Sequence, residues 1–87
     1  MPKVIVQATV ADYAKWRAVF DKNKPMRVAA SAINESVYRN VDNGNVVLAY
    51  VEVTDLAKTR QVLASPEMRA SMQESGMVGA PNIHFIE

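Results

Sequence analysis

The chain of 87 residues contains no cysteine, which excludes disulfide bonds, thiolate nucleophiles and thiolate metal sites. It contains one histidine, His84, and no acid pair lies at metal-ligand spacing from it. We therefore expect neither a metal nor a cofactor. Basic runs are also absent, and the formal net charge is only +1. Nucleic acid and anionic membrane are accordingly poor candidates as partners.

Long apolar segments are missing too. No run approaches the roughly 20 residues that span a bilayer, and the first residues lack the apolar core of a signal peptide. These absences predict a soluble cytoplasmic protein. Repeats and linkers are not visible, so the length predicts one domain over residues 1–87. A domain this small buries only about 60–65% of its unfolded surface, and dimerisation is a common remedy.

Apolar patterning predicts four strands. The first alternates over Lys3–Val10, and the third is a nearly continuous apolar run over Val46–Val53. The second is predicted over Ile33–Val41 and the fourth over Asn82–Glu87. Asn43-Gly44, between the second and third strands, is typical of a two-residue hairpin turn.

Capping residues and helical spacing predict the helices. Asp12 can cap a helix whose apolar face carries Tyr13, Trp16 and Phe20, and Pro25 must interrupt or restart it. Thr54 or Asp55 starts a second helical region, which restarts at Ser65-Pro66-Glu67 and stops near Gly76. The resulting order predicts an α+β, ferredoxin-like βαββαβ fold, an antiparallel sheet with helices on one face.

The third strand is apolar on both of its faces, whereas the helices can cover only one. With a two-residue turn, Val37, Val41, Leu48 and Tyr50 would lie on the uncovered face, and Glu35 would lie opposite Glu52. Burying about six such side chains is worth on the order of 10 kcal/mol. We therefore expect a homodimer through the sheet face. The alternative is a monomer whose open sheet face binds another molecule.

Four motifs then suggest a family: Asp12-Tyr13-x-x-Trp16-x-x-x-Phe20-Asp21, Tyr38-Arg39-Asn40-x-Asp42, Ser65-Pro66-Glu67-Met68-Arg69-x-x-Met72 and Gly76-x-x-Gly79-x-Pro81. Together they resemble small bacterial proteins of the dimeric α+β barrel superfamily. These are similar to the antibiotic-biosynthesis-monooxygenase-like domains. Most are uncharacterised, and some carry the loose label "cyclase".

The resemblance implies a homodimeric β-barrel with helices outside and a pocket between the helices and the sheet. The superfamily includes cofactor-free monooxygenases, haem-degrading enzymes, isomerases and proteins of no known activity. The haem-handling relatives use a histidine on the second helix, and this chain has none between Asp55 and Ser75. No catalytic set of the family can be matched residue by residue.

Six residues are candidates for a ligand pocket: Tyr13, Trp16, Phe20, Tyr38, Met72 and His84. His84 and Trp16 are the weak candidates for catalysis. His84 could act as a general base, or be an ordinary strand histidine. The aromatic stripe could wall a pocket for a flat ligand, or simply pack the core. Arg27 and Arg39 could bind a carboxylate, or be surface charges.

Three functions remain open at this point. The first is binding of a small apolar or aromatic metabolite between helices and sheet. The second is a cofactor-free monooxygenase or isomerase that acts on an aromatic or polyketide-like substrate, with polar strand residues such as Tyr38 stabilising a phenolate or enolate. The third is a purely associative homodimeric module without ligand. A closed cavity walled by Trp16, Tyr38 and His84 would favour the first two. A helix–sheet interface filled by Trp16, Phe20, Leu63 and Met72 would favour the third.

Overall fold

The computed structural model describes residues 1–87 and contains four strands and four helices. In chain order they are β1 (Lys3–Val10), α1 (Tyr13–Lys22), α2 (Lys24–Ala29), β2 (Ala32–Arg39), β3 (Val46–Val53), α3 (Leu56–Leu63), α4 (Pro66–Glu74) and β4 (Met77–Ile86). The strands form one antiparallel sheet in the order β2-β3-β1-β4. The predicted α+β, ferredoxin-like arrangement is confirmed, with β1 and β3 at its centre.

Side-chain caps begin three of the helices, as the sequence predicts. The Asp12 carboxylate accepts a hydrogen bond from the Ala14 N–H at 2.9 Å, and Asp55 accepts one from Lys58 at 3.0 Å. The Ser65 hydroxyl accepts one from the Met68 N–H at 3.2 Å. Each cap satisfies a backbone donor that the first turn leaves free. Pro25 stands in the first turn of α2, where its missing N–H costs nothing.

The core lies between the helices and one face of the sheet. Val47, Ala8 and Val10 pack with Trp16 at one end, and Val4, Val51 and Val53 form a second cluster that contacts α3. All four odd-numbered positions of β3 are buried. Alternation along β3 therefore turns one complete set of side chains toward the helices.

The predicted register between β2 and β3 is wrong by one residue. Val37 pairs with Ala49 rather than Tyr50, because a five-residue loop over 41–45 replaces the two-residue turn. The side chain of Asn40 builds this loop by accepting hydrogen bonds from the N–H groups of Asp42 and Asn43, at 2.8 and 3.0 Å. The predicted second strand accordingly ends too late.

The one-residue shift moves side chains to the other face of the sheet. Val37 lies on the helix side and packs against the cluster around Trp16, while Val41 is a fully exposed loop residue. Glu35 lies opposite Val51 rather than Glu52. The prediction that Val37 and Val41 contribute to the uncovered face is therefore wrong. The prediction that Glu35 lies opposite Glu52 is wrong as well.

The fourth strand is longer than predicted and begins at Met77, directly after Gly76. Gly76 and Gly79 both have positive φ values, 77° and 72°, which side-chain-bearing residues rarely adopt. The pairing of β1 with β4 shifts its register between Gln7 and Thr9, and this irregularity accommodates the segment around Gly79 in the sheet. Pro81 is tolerated in β4 because β4 is an edge strand.

The opposite side of the sheet, here called the helix-free face, carries no helix. Its central apolar side chains are Ile5, Val46, Leu48 and Tyr50, all half-buried. Tyr38 and Ile86 extend the same face toward the sheet edges and are 59% and 42% exposed. The prediction that β3 is apolar on both faces therefore holds, although the side chains around it differ. None of the helices is long and apolar enough to cross a membrane.

Candidate functional site

A cavity of about 120 Å³ lies between the helices and the sheet. Side chains from all four helices and from the helix side of the sheet line it. Fourteen of its nineteen lining residues are hydrophobic. Five carry polar groups, namely Asn23, Arg27, Thr59, Ser71 and Ser75. A mostly apolar cavity with a few converging polar groups is typical of small-molecule sites.

One wall of the cavity is aromatic. The Trp16 and Phe20 rings stack with centroids 5.0 Å apart and planes inclined by 25°. Tyr13 extends this stripe, with its centroid 6.0 Å from that of Trp16, but does not line the cavity. The Arg39 guanidinium lies 3.9 Å from the Tyr13 centroid and donates a hydrogen bond to the Gly44 carbonyl. The helical spacing therefore produces one continuous face, and its inner part contacts the cavity.

Arg27 is the only charged side chain that lines the cavity. Its guanidinium lies 3.6 Å from the Phe20 ring centroid, a cation–π contact. The same group donates to both carboxylate oxygens of Glu35, from Nε at 2.8 Å and from Nη2 at 2.9 Å. A third N–H donates to the Phe20 carbonyl. The carboxylate that Arg27 was a candidate to bind is thus supplied by the chain itself.

The ion pair makes folding stability depend on pH. Hydrogen bonding from Arg27 lowers the pKa of Glu35 below its ordinary value, against the opposing effect of burial. The pair therefore stabilises the fold above the unfolded pKa of about 4.3, and its contribution is lost as the pH falls through the lower folded pKa.

We expect Glu35→Gln to lower the free energy of unfolding by about 1–2 kcal/mol at pH 7. In urea titrations this difference from the parent protein should shrink as the pH falls below about 4, because the unfolded parent chain then takes up a proton at Glu35 before the folded one does. Asp21→Asn is the control, since the Arg17–Asp21 pair is exposed and should change stability by less than about 0.5 kcal/mol. A pH-independent Glu35→Gln difference would contradict the assignment.

Hydrogen bonds within the chain already occupy several polar groups of the cavity. The Thr59 hydroxyl donates to the Ala30 carbonyl at 2.8 Å, and the Ser75 hydroxyl donates to the Met72 carbonyl at 2.7 Å. The side-chain amide of Asn23 donates to the Ser71 hydroxyl oxygen. That last bond leaves the Asn23 carbonyl oxygen and the Ser71 hydroxyl hydrogen free to interact with a ligand.

The Asn23–Ser71 bond joins the α1–α2 junction to α4, on two sides of the cavity. Lys22 and Glu74 form a second bridge between the same elements, with Nζ and Oε1 3.2 Å apart. This ion pair is exposed, so it contributes little to stability. Polar contacts, rather than packed core residues, therefore connect these elements next to the cavity.

The structure brings together three of the six candidate pocket residues. Trp16, Phe20 and Met72 line the cavity, and Tyr13 packs beside them. Tyr38 and His84 do not, because both point from the helix-free face. His84 is exposed and lies opposite Ile5 in the sheet. A cavity walled jointly by Trp16, Tyr38 and His84 is therefore not what this chain forms.

The sequence interpretation named Arg27 as a candidate for ligand binding but missed the uncharged polar residues of the cavity. Thr59 belongs to the inner stripe of α3, between Leu56 and Leu63, and a polar residue on an apolar stripe is the signal that was available. Asn23 and Ser71 lie 48 positions apart, and only the tertiary fold brings them into contact. The Arg27–Glu35 pair likewise joins a helix to a strand.

The cavity contains no group that could act as a general base. Its lining includes no histidine, carboxylate or tyrosine, and its one charged side chain is a guanidinium, which donates hydrogen bonds and offers no acceptor. Hydrogen-bond donors and acceptors are present, so the arrangement can orient a small molecule.

Several solved structures have the same fold as this chain. A Bordetella bronchiseptica protein provisionally named an antibiotic biosynthesis monooxygenase superposes with a TM-score of 0.81 at 12% identity, over 99% of this chain and 94% of its own. SnoaB, a cofactor-independent oxygenase from Streptomyces nogalater, gives 0.78 at 16% identity, over 99% and 90%. A conserved protein from Methanosarcina mazei gives 0.76 at 12%, over 98% and 89%.

Neither a protein-family profile nor a curated protein matches the sequence. The structural likeness nevertheless extends over nearly the whole chain. The resemblance stated from the sequence is therefore confirmed at the level of the fold, which is that of the antibiotic-biosynthesis-monooxygenase-like proteins.

Proposed function

We propose that this protein binds a small apolar or aromatic metabolite in the cavity between its helices and sheet. The observation that carries the proposal is the cavity itself: about 120 Å³ of space, an aromatic wall and few polar groups. An apolar cavity of about 150 Å³ in another protein admits benzene, so one aromatic ring is a ligand of suitable size. An associative module would instead fill this interface with side chains.

Binding can be measured through Trp16, the only tryptophan of the chain. We expect 4-methylphenol to change the Trp16 fluorescence saturably, because the indole lines the cavity. Ala49→Leu adds a larger side chain to the cavity wall and should weaken binding by about tenfold or more.

Ala57→Leu is the matched control for this experiment. It introduces the same side chain at an exposed position of α3 that does not line the cavity. The parent protein and this control should bind alike. Equal binding by the Ala49→Leu variant would show that the ligand lies elsewhere, and no saturable signal from the parent would overturn the proposal.

We further propose that two copies of the chain associate through the helix-free face. Its half-buried centre, formed by Ile5, Val46, Leu48 and Tyr50, has no cover within the chain. Burying the apolar surface that these side chains and their neighbours leave exposed favours association, against the translational and rotational freedom that a dimer loses. We infer that residues 1–87 act as one domain in this dimer, because both core clusters share one sheet.

Cofactor-free oxygenation is the second candidate, and the likeness to SnoaB favours it. In such a reaction the substrate supplies the electrons, one oxygen atom enters the product and the other leaves as water. The absence of a general base among the lining residues makes binding the better-supported function. Oxygen consumption with an electron-rich phenol, abolished by Trp16→Phe, would reverse this ranking.

A further inference from the structure

The one positive charge that lines the cavity is neutralised by a carboxylate that does not line it. Arg27 lines the cavity, but Glu35, which binds it, does not. Both side chains are largely buried, with 12% of Arg27 and 20% of Glu35 exposed. Three of the five guanidinium N–H groups are engaged, two by the carboxylate and one by the Phe20 carbonyl. The cavity therefore presents an arginine whose charge is already balanced.

Building on the function proposed above, we propose that the cavity selects uncharged aromatic ligands that carry one hydroxyl or amide group and rejects aromatic carboxylates. Glu35 is the positioning residue for this selection and acts through Arg27. A ligand carboxylate would have to share the guanidinium with Glu35, and two carboxylates at one buried cation repel each other. Most of the other residues that line the cavity are apolar and would not replace the hydration that a carboxylate loses.

The polar group of the ligand has a different site available. Asn23 and Ser71 offer one free acceptor, the amide carbonyl oxygen, and one free donor, the hydroxyl hydrogen. A phenol or a primary amide can donate to the first and accept from the second. A carboxylate has no proton to donate, so it would cover the Asn23 side-chain oxygen without hydrogen-bonding to it, which is costly for a polar atom removed from solvent.

The test uses two probes of nearly the same shape, 4-methylbenzamide and 4-methylbenzoate, titrated against the intact protein at pH 7. In the parent protein the amide should bind at least about tenfold more tightly than the carboxylate. Glu35→Gln frees the positive charge of Arg27, and we expect the benzoate-to-benzamide affinity ratio to rise by about tenfold or more. A general loss of packing would weaken both probes and leave this ratio unchanged.

Two variants control the experiment. Asp21→Asn changes the net charge by the same amount at an exposed arginine pair outside the cavity, so the affinity ratio should stay at its parent value. The double variant Arg27→Gln/Glu35→Gln removes both charges, and the gain in benzoate binding should disappear. If Glu35→Gln fails to fold, the ratio measured in the parent protein still decides the matter.

Each result has a distinct meaning. Equal affinities for the two probes in the parent protein, or an unchanged ratio in a folded Glu35→Gln variant, would overturn the selection while the binding function stands. If 4-methylphenol does not bind the parent protein, the proposed function fails, and the selection fails with it.

Discussion

Replacing Leu48 with arginine will prevent the proposed dimer from forming. Leu48 lies at the centre of the helix-free face, on the central strand β3. An arginine there would place an unpaired charge in the proposed interface, where desolvation costs several kcal/mol per ion. Sedimentation at micromolar concentration should give twice the chain mass of 9.6 kDa for the parent protein, and the single-chain mass for Leu48→Arg.

Ala70→Arg is the control for this prediction, because Ala70 is an exposed residue of α4 on the opposite side of the molecule. It should sediment as the parent protein does. Far-UV circular dichroism should show that both variants keep their secondary structure. A parent protein that sediments as one chain at these concentrations would refute the dimer. A Leu48→Arg variant that sediments as a dimer would show that the interface lies elsewhere.

Trp16→Ala will cost about 3–5 kcal/mol of unfolding free energy, the largest stability loss we expect from one truncation. Trp16 is only 6% exposed, stacks on Phe20 and packs with Val10 and Val47. Small domains have about 5–15 kcal/mol in total, so this loss removes a large part of the stability. Urea unfolding followed by circular dichroism measures it, since the variant has no tryptophan.

Val41→Ala serves as the reference for this truncation. Val41 is 99% exposed in the β2–β3 loop, and its replacement should change the unfolding free energy by less than about 0.5 kcal/mol. A Trp16→Ala loss below about 1 kcal/mol would mean that the aromatic stripe is not the core contact described above.

Local chemistry accounts for what the sequence predicts well. The caps Asp12, Asp55 and Ser65 each require only a side-chain oxygen and the backbone donors two or three residues further on. The apolar spacing of Trp16 and Phe20 likewise decides a helix face without tertiary information. These features survive in the structure with the residues that the sequence indicates.

The errors arise where two local signals compete. Asn43-Gly44 favours a two-residue turn, but hydrogen bonds accepted by the Asn40 and Asn43 side chains stabilise a longer loop. The resulting shift of one residue transfers Val37 to the helix side of the sheet. In a strand, the register decides which face a residue joins, and local propensity does not fix the register.

The candidate site is predictable only in part for the same reason. Helical residues of the cavity follow from periodicity, whereas Tyr38 and His84 belong to edge strands whose side-chain orientation depends on pairing. The partnership of Arg27 with Glu35 depends on how α2 lies against β2. No spacing rule reveals such a contact, so the charge balance of the cavity emerges only from the structure.

The most direct test of the central claim is to locate a bound aromatic molecule by nuclear magnetic resonance. We predict that 4-methylbenzamide will shift the Trp16 indole N–H and the methyl groups of Met72 and Val51, which line the cavity. The signals of Leu48 and Tyr38, on the helix-free face, should stay unchanged. Shifts confined to Leu48 and Tyr38, with Trp16 unaffected at saturation, would contradict a ligand site between helices and sheet.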